Sequence, residues 1–349
     1  MDQTFHIRLG GEHFQIHAHR SYLQTLKRTL GDYQVNAFED GCKIRVIPYM
    51  NHRRFPWPQP ELEQFRAFLA SVHARFPAND SEEDSVRFVL ELLQYLDPED
   101  EPIRCIINFL DDMQALIYAR VGLNLYFFDI NTQTAFFFIK SGSGHPGILD
   151  RIIRRFKLER SGGEDILNGL MLVLSHQLIW HDGLLLHGSA IRKEGEGVLF
   201  LGLSGSGKST ITALCMPDEC FSDDRVIVKK EGDAIWAYPS PFTQIRHAMK
   251  NSPLRKGCIQ RGFILEKHDA NRLIPARPHE IMLQILRHFI HFFKFMNDKT
   301  AEKAFYLVRD IVDCLPMYRL EFTKSRCIWH MTEFIAVSII VGCYRVGTG

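Results

Sequence analysis

Apolar and polar positions alternate through much of the first part of the chain. Residues 5–9 and 14–18 alternate on either side of Gly10-Gly11-Glu12, which predicts a β-hairpin. Periodicity predicts the other elements of this part, namely strands at 43–48, 115–120, 123–130 and 135–140 and helices at 61–75 and 81–96. No cluster of convergent polar groups accompanies these elements. We interpret residues 1–160 as a small α/β domain of their own, with a role in recognition.

Ser161-Gly162-Gly163 marks the predicted boundary to a second domain at 164–349. Apolar runs and helical repeats alternate in this second part. The predicted strands lie at 184–191, 197–201, 234–238, 262–266 and 318–322, and the predicted helices at 164–180, 210–215, 278–294 and 300–313, with a last helix after them. The pattern indicates the α/β class. As the alternative, residues 1–160 complete the core of one larger domain.

Residues 202–210 satisfy G-x-x-x-x-G-K-[ST], the motif of a loop that wraps nucleotide phosphates. Glycines let the backbone take positive φ, so that successive N–H groups converge on one anion. The predicted strand before the motif and the helix after it are the context that the motif requires. The candidate nucleotide-binding residues are Gly202, Ser204, Gly205, Ser206, Gly207, Lys208, Ser209 and Thr210. The motif therefore predicts ATP as a ligand.

Phosphoryl transfer also needs charge neutralisation and a group near the attacking hydroxyl. Lys208 brings positive charge to the β and γ phosphates, and Ser209 offers a hydroxyl to Mg²⁺. Asp223 and Asp224 form an acid pair after the loop helix. If their segment is extended, the two carboxylates point to opposite sides of the backbone, one toward Mg²⁺ and one toward an acceptor hydroxyl. An ordinary turn is the alternative interpretation of this pair.

Three motifs together resemble the catalytic domain of HPr kinase/phosphorylase: His187-Gly188, residues 202–210 and Ser222-Asp223-Asp224-Arg225-Val226. The resemblance covers roughly residues 165–330. The chain more closely resembles the HPr kinase-related proteins associated with peptide-modification gene cassettes. Two further segments add to this resemblance, namely Tyr238-Pro239-Ser240-Pro241 and Asn271-Arg272. It implies a P-loop kinase domain of the HPr kinase type, a mixed sheet with flanking helices, after a separate small α/β domain.

The resemblance also implies a role for each residue of the candidate site. Asp223 is then the base that takes the proton of a seryl hydroxyl, and His187 orients the γ-phosphate or the acceptor. Asp224 holds Mg²⁺ through water, and Ser209 holds it directly. With Lys208, these side chains form the expected catalytic and metal-binding set.

The chain departs from the family pattern at two places. The family has an acidic residue after the loop serine, where this chain has Thr210. It also has an acid that contacts the metal before an Arg-Gly pair, whereas Gln260 precedes Arg261-Gly262 here. These departures leave the metal shell and the reverse phosphorolysis open.

The motifs leave three functions open. The first is ATP-dependent phosphoryl transfer to a serine or another hydroxyl of a peptide or small protein, which residues 1–160 recognise as the acceptor or as a partner. The second is a nucleotide-binding accessory protein of a peptide-modification system without transfer activity. The third is a small-molecule kinase.

Composition bears on the partners and the cellular compartment of the protein, but it does not identify a reaction. A formal net charge of +1 gives no argument for nucleic acid or an anionic membrane as a partner. The eight cysteines contain no C-x-x-C pair, which favours reduced thiols. The first residues lack the basic start and apolar core of a signal peptide. We therefore expect a cytoplasmic protein, and a homo-oligomer remains open.

Overall fold

The structure is a computed structural model that describes ten stretches of the chain. They are residues 2–49, 103–111, 114–121, 124–129, 133–140, 162–203, 205–215, 219–242, 256–293 and 298–323. Described residues up to 174 belong to one compact unit and those from 175 onward to a second. The predicted domain boundary at 161–163 stays a prediction.

A seven-stranded sheet forms the first unit, in the order β1-β2-β3-β7-β6-β5-β4. Its strands are β1 (Asp2–Leu9), β2 (Glu12–His19), β3 (Cys42–Tyr49), β4 (Ile103–Asp111), β5 (Gln114–Val121), β6 (Asn124–Asp129) and β7 (Thr134–Lys140). β3 is parallel to β2 and β7, and the other pairs are antiparallel. Helix α1 (Arg20–Leu30) follows β2. The predicted hairpin and strands are confirmed, and the sequence analysis missed β4.

Glycine determines the turn of the first hairpin. Gly10 and Gly11 have φ of 57° and 89°, values that favour glycine.

The helices predicted at 61–75 and 81–96 lie outside the described residues.

Helix α2 (Gly162–Trp180) confirms the helix predicted at 164–180. Its first half packs tightly on the first sheet through Gly169, where an added Cβ would lie 2.4 Å from the Tyr126 ring and 2.7 Å from Phe137. The Tyr126 hydroxyl donates a hydrogen bond of 2.8 Å to the carbonyl of Asp165. Glycine is therefore needed at position 169 to seat the helix.

The second unit contains eight strands and three further helices in its described part. The strands are β8 (Gly183–Lys193), β9 (Glu196–Leu201), β10 (Glu219–Ser222), β11 (Arg225–Glu231), β12 (Ala234–Tyr238), β13 (Gly257–Lys267), β14 (Arg272–Pro275) and β15 (Met317–Phe322). The helices are α3 (Lys208–Cys215), α4 (Pro278–Phe293) and α5 (Asp298–Cys314). All strands predicted in this unit are confirmed. The predicted last helix lies outside the described residues.

Five strands of the second unit pair in a closed ring, β8-β11-β12-β13-β9 and back to β8. Within the ring only β9 and β13 are parallel. β15 adds to β13 in parallel, and β14 and β10 add at the margins. Since β9, β13 and β15 run in one direction, their carboxyl ends meet at one edge of the sheet. Ligands of α/β proteins bind at such an edge.

Apolar side chains under this edge form what we call the loop-side core. Its members are Ile191, Val198, Phe200, Ile211, Cys220, Phe263, Leu265, Leu320 and Phe322. Ile211 brings α3 into this core, and Phe200 stacks on Phe263 with ring centroids 5.7 Å apart. Each fully buried side chain of this size contributes about 1.5–3 kcal/mol. The core thereby seats α3 against the sheet.

The protein is thus mixed α/β, with sheets and flanking helices, as the sequence predicts. Within the described stretches, no helix combines the length and the apolar character needed to cross a membrane.

Candidate functional site

The glycine-rich loop (residues 202–207) joins β9 to α3, which confirms the predicted order of strand, loop and helix. Gly205 and Gly207 have φ of 77° and 104°, in the region that side chains rarely adopt. At Gly202 an added Cβ would lie 2.3 Å from Ser206 Oγ. The Ser206 amide donates to the Leu203 carbonyl at 2.9 Å. Steric constraints therefore favour glycine at positions 202, 205 and 207 of this turn.

Lys208, the first residue of α3, points back across this loop. Its Nζ donates hydrogen bonds to the carbonyls of Gly202 at 2.7 Å and Leu203 at 3.2 Å. The residue is only 6% exposed. Burial lowers the pKa of its ammonium, and the nearby Asp224 carboxylate opposes that effect. The loop thus holds a partly desolvated cation that a bound anion would stabilise.

Asp223 and Asp224 lie in the bend between β10 and β11. The Ser222 hydroxyl accepts from the amides of Asp224 and Arg225 at 3.3 and 3.1 Å, which holds this bend. The segment is therefore not extended, and the argument that places the two carboxylates on opposite sides does not apply. Both acids instead line one cavity, and Asp223 is 1% exposed.

His187 reaches the same place from β8, where it pairs in register with Arg225. Its Nδ1 lies 3.3 Å from Asp224 Oδ1, and Arg225 Nε lies 3.9 Å from Asp224 Oδ2. Burial lowers the pKa of the Arg225 guanidinium, while Asp224 acts in the opposite direction. A single carboxylate, Asp224, therefore faces His187, Arg225 and the charge of Lys208.

A cavity of about 730 Å³ connects these groups. Of the predicted site residues, it is lined by His187, Gly205, Gly207, Lys208, Ser209, Thr210, Asp223 and Asp224. Gly202 and Ser206 shape the loop without lining the cavity, and Ser204 lies outside the described residues. Side chains separated by more than thirty positions in sequence, His187 and Asp223, thus share one site.

The sequence analysis missed the opposite wall of the cavity. It consists of Lys267, His268, Asp269, Phe322 and Thr323. β13 runs three residues past Ile264, the partner of Leu201, and so extends about 10 Å beyond the end of β9. The signal was available in principle, because carboxyl ends of parallel strands meet at one edge. It requires the strand pairing, which no local motif reveals.

Gln260-Arg261-Gly262, the second place where the chain departs from the HPr kinase pattern, lies outside the cavity. Gln260 Oε1 accepts from the Gly197 amide at 2.5 Å, and Arg261 forms an ion pair with Glu196. Gly197 stands near the start of β9, about 13 Å of strand before the glycine-rich loop. Gln260-Arg261-Gly262 therefore secures the amino end of β9 and does not line the cavity.

The residues present fit a magnesium-bound nucleoside triphosphate. The positive-φ glycines and the start of α3 direct amides toward an anion, and Lys208 adds charge. Mg²⁺ is commonly held by one or two protein oxygens together with substrate phosphates. Ser209 and Asp224 line the cavity and offer such oxygens. Among the residues that the structure describes, no group of three or more His, Cys, Asp or Glu side chains is placed to hold a metal ion.

Comparison with known proteins gives no match, either to a family model or to a curated protein.

Proposed function

We propose that this chain is an HPr kinase-like enzyme that uses Mg-ATP to phosphorylate a hydroxyl group, with a serine of a peptide or small protein as the acceptor. The observation that carries the proposal is the shared cavity. It joins a glycine-rich loop with its lysine to an acid pair and a histidine that come from other strands. Phosphoryl transfer requires this combination of phosphate positioning, charge neutralisation and a group at the acceptor.

The donor side is formed by the loop and α3. Amides of the glycine-rich loop and the start of α3 bind the phosphates, while Lys208 exchanges its carbonyl partners for phosphate oxygens. Ser209 and Asp224 would hold Mg²⁺, which neutralises phosphate charge when it is bound. His187 Nδ1, 3.3 Å from Asp224 Oδ1, holds that carboxylate in place beside the donor.

The acceptor side is formed by Asp223. The acceptor oxygen forms a bond to the γ-phosphorus as the bond to the bridging β–γ oxygen breaks, and ADP leaves. The proton of the hydroxyl passes to the Asp223 carboxylate. The burial of Asp223 excludes bulk water from that proton transfer. Lys267 and His268 line the same cavity.

The decisive experiment combines binding with labelling. The chain is incubated with Mg²⁺, γ-labelled ATP, a pool of serine-containing peptides and free serine. We expect label on peptide, and we expect Lys208→Ala to abolish ATP binding while Lys256→Ala, an exposed lysine outside the cavity, binds normally. Undiminished Mg-ATP affinity in Lys208→Ala would refute the assignment of the loop.

Two further variants separate the acid roles. Asp223→Asn retains ATP affinity and loses transfer by roughly 10²-fold, the usual size of a general-base contribution. Asp224→Asn mainly raises the Mg²⁺ concentration needed for half-maximal rate. The opposite pattern would exchange the two assignments.

A second candidate is a nucleotide-binding accessory protein without transfer activity. The burial of Asp223 favours it, because a carboxylate that is 1% exposed presents little surface to an acceptor. Bound nucleotide that co-purifies without turnover, and without label on any acceptor, would identify this function. Label on free serine alone would identify a small-molecule kinase.

A further inference from the structure

Phe322 links the glycine-rich loop to the hydrophobic core. It is the last residue of β15, is 3% exposed and belongs to the loop-side core. A Cβ added to Gly207 would lie 2.7 Å from Phe322 Cζ, so the ring lies directly against the loop backbone where φ is 104°. The same ring lines the cavity. The position of this ring therefore sets how far the loop can settle toward the core.

Two hydrogen bonds determine where Phe322 stands. The ladder between β13 and β15 ends at the pair of Lys267 and Phe322. Just beyond it, the His268 amide donates to the Phe322 carbonyl at 3.1 Å. The next amide, of Thr323, donates to the side-chain Oδ1 of Asn271 at 2.7 Å. Asn271 thus accepts the hydrogen bond of an amide that lies beyond the last β13–β15 pair, and it holds the end of β15 in place.

The outer side of the loop is open to solvent at two of its described residues. An added Cβ at Gly205 would meet nothing within 4 Å, and Leu203 is 58% exposed. The internal bond from the Ser206 amide to the Leu203 carbonyl closes a turn without tying it to the sheet. At the helix end of the loop, Gly207 rests on the core through the Phe322 ring.

We propose that Asn271 and Phe322 are positioning residues for the glycine-rich loop. Asn271 fixes the end of β15, and the Phe322 ring then holds the loop in the shape that receives phosphates. A loop held in its binding shape loses less conformational freedom when a ligand binds, which raises affinity. The effect on ATP rests on the proposed function, whereas the support of the loop by the ring does not.

The test compares four variants of the full chain. Asn271→Leu keeps the size of the side chain and removes the acceptor, and Asn271→Asp keeps an acceptor oxygen. Phe322→Leu withdraws the ring from the loop. Phe200→Leu is the matched control, since Phe200 is buried in the same loop-side core and packs on Phe263. Amide hydrogen exchange of residues 202–207 is measured without nucleotide, and the dissociation constant of ATP is measured by calorimetry.

We expect Asn271→Leu and Phe322→Leu to raise loop exchange by about tenfold or more and to weaken ATP binding by about the same factor. Asn271→Asp and Phe200→Leu stay within about twofold of the wild type in loop exchange. The proposal is overturned if Asn271→Leu or Phe322→Leu exchanges like the wild type, if Phe200→Leu raises loop exchange equally, or if Asn271→Asp behaves like Asn271→Leu. If Phe322→Leu does not fold, the two Asn271 variants decide. A wild-type chain that fails to bind ATP refutes the proposed function, and the exchange data still decide the role of these residues.

Discussion

Replacing Asp224 by asparagine should destabilise the second unit, because this one carboxylate faces two cationic groups, Arg225 and Lys208, and also contacts His187. The change keeps the shape of the side chain and removes its charge. Arg225 Nε at 3.9 Å and His187 Nδ1 at 3.3 Å lose their partner, and the partly desolvated ammonium of Lys208 loses a compensating charge.

The size of the loss follows from distance and burial. At 3.9 Å and an effective dielectric constant near 20, one full ion pair is worth about 4 kcal/mol before desolvation is counted. The side chains of Asp224 and Arg225 are 24% and 31% exposed, so solvent screening and the remaining hydrogen bonds of the amide reduce that value. We expect a net destabilisation of about 1–3 kcal/mol, which lies between the values for an exposed ion pair and for one broken partner of a buried pair.

Urea unfolding followed by circular dichroism measures this loss in the nucleotide-free protein. The matched control is Asp313→Asn, since Asp313 is exposed on α5 and forms no ion pair within the described ranges. The control should change stability by less than about 0.5 kcal/mol. If Asp224→Asn is as stable as this control, Asp224 does not hold Arg225 and Lys208, and the electrostatic account of the site is wrong.

Three other predictions concern the loop, acid stability and domain structure. Gly207→Ala should lower the free energy of unfolding by about 2 kcal/mol or more and impair ATP binding in calorimetry, because φ is 104° and the new Cβ would meet Phe322. The control Gly232→Ala has open space around the new Cβ and should lower the free energy of unfolding by about 1 kcal/mol. Burial lowers the pKa of His176 to about 4 from an unfolded value near 6.5. The free energy of unfolding should therefore be highest above pH 6.5, fall by about 3 kcal/mol in total as the pH decreases, and level off below pH 4. Urea midpoints of the wild type and His176→Gln should differ in their pH dependence over that range. Limited proteolysis should cut near 161–163 and leave a folded, nucleotide-binding fragment, and a chain that resists cutting or collapses when cut would favour one larger domain.

Local patterns predicted most strands and the loop with its helix, because the features that produce them are adjacent in sequence. Gly10 and Gly11 between two alternating runs predict the first hairpin, and glycines beside Lys208 predict a turn that opens a helix. The bend at Asp223 depends on the Ser222 hydroxyl and on pairing with β8, so the assumption of an extended segment failed.

Pairings between distant segments set the rest of the site. Lys267 and Phe322 reach the cavity only because β13 and β15 are parallel to β9 and overrun its end. Residue pairs of this kind are separated by a long stretch of chain, and no periodicity in either segment indicates its partner. The wall of the cavity therefore became visible only in the folded chain.

The closed ring of strands has a consequence for the order in which the protein matures on the ribosome. β8 and β9 are neighbours in sequence, yet β9 completes its pairing only with β13, where Gly197 meets Ile259. The glycine-rich loop emerges about fifty residues before the start of β13, the strand that fixes the far side of β9. Pairings of such long range form slowly, and nascent chains fold as units that await their last element. A chain stalled before β13 would carry the complete glycine-rich motif without the cavity, so the proposed nucleotide site forms only late in synthesis.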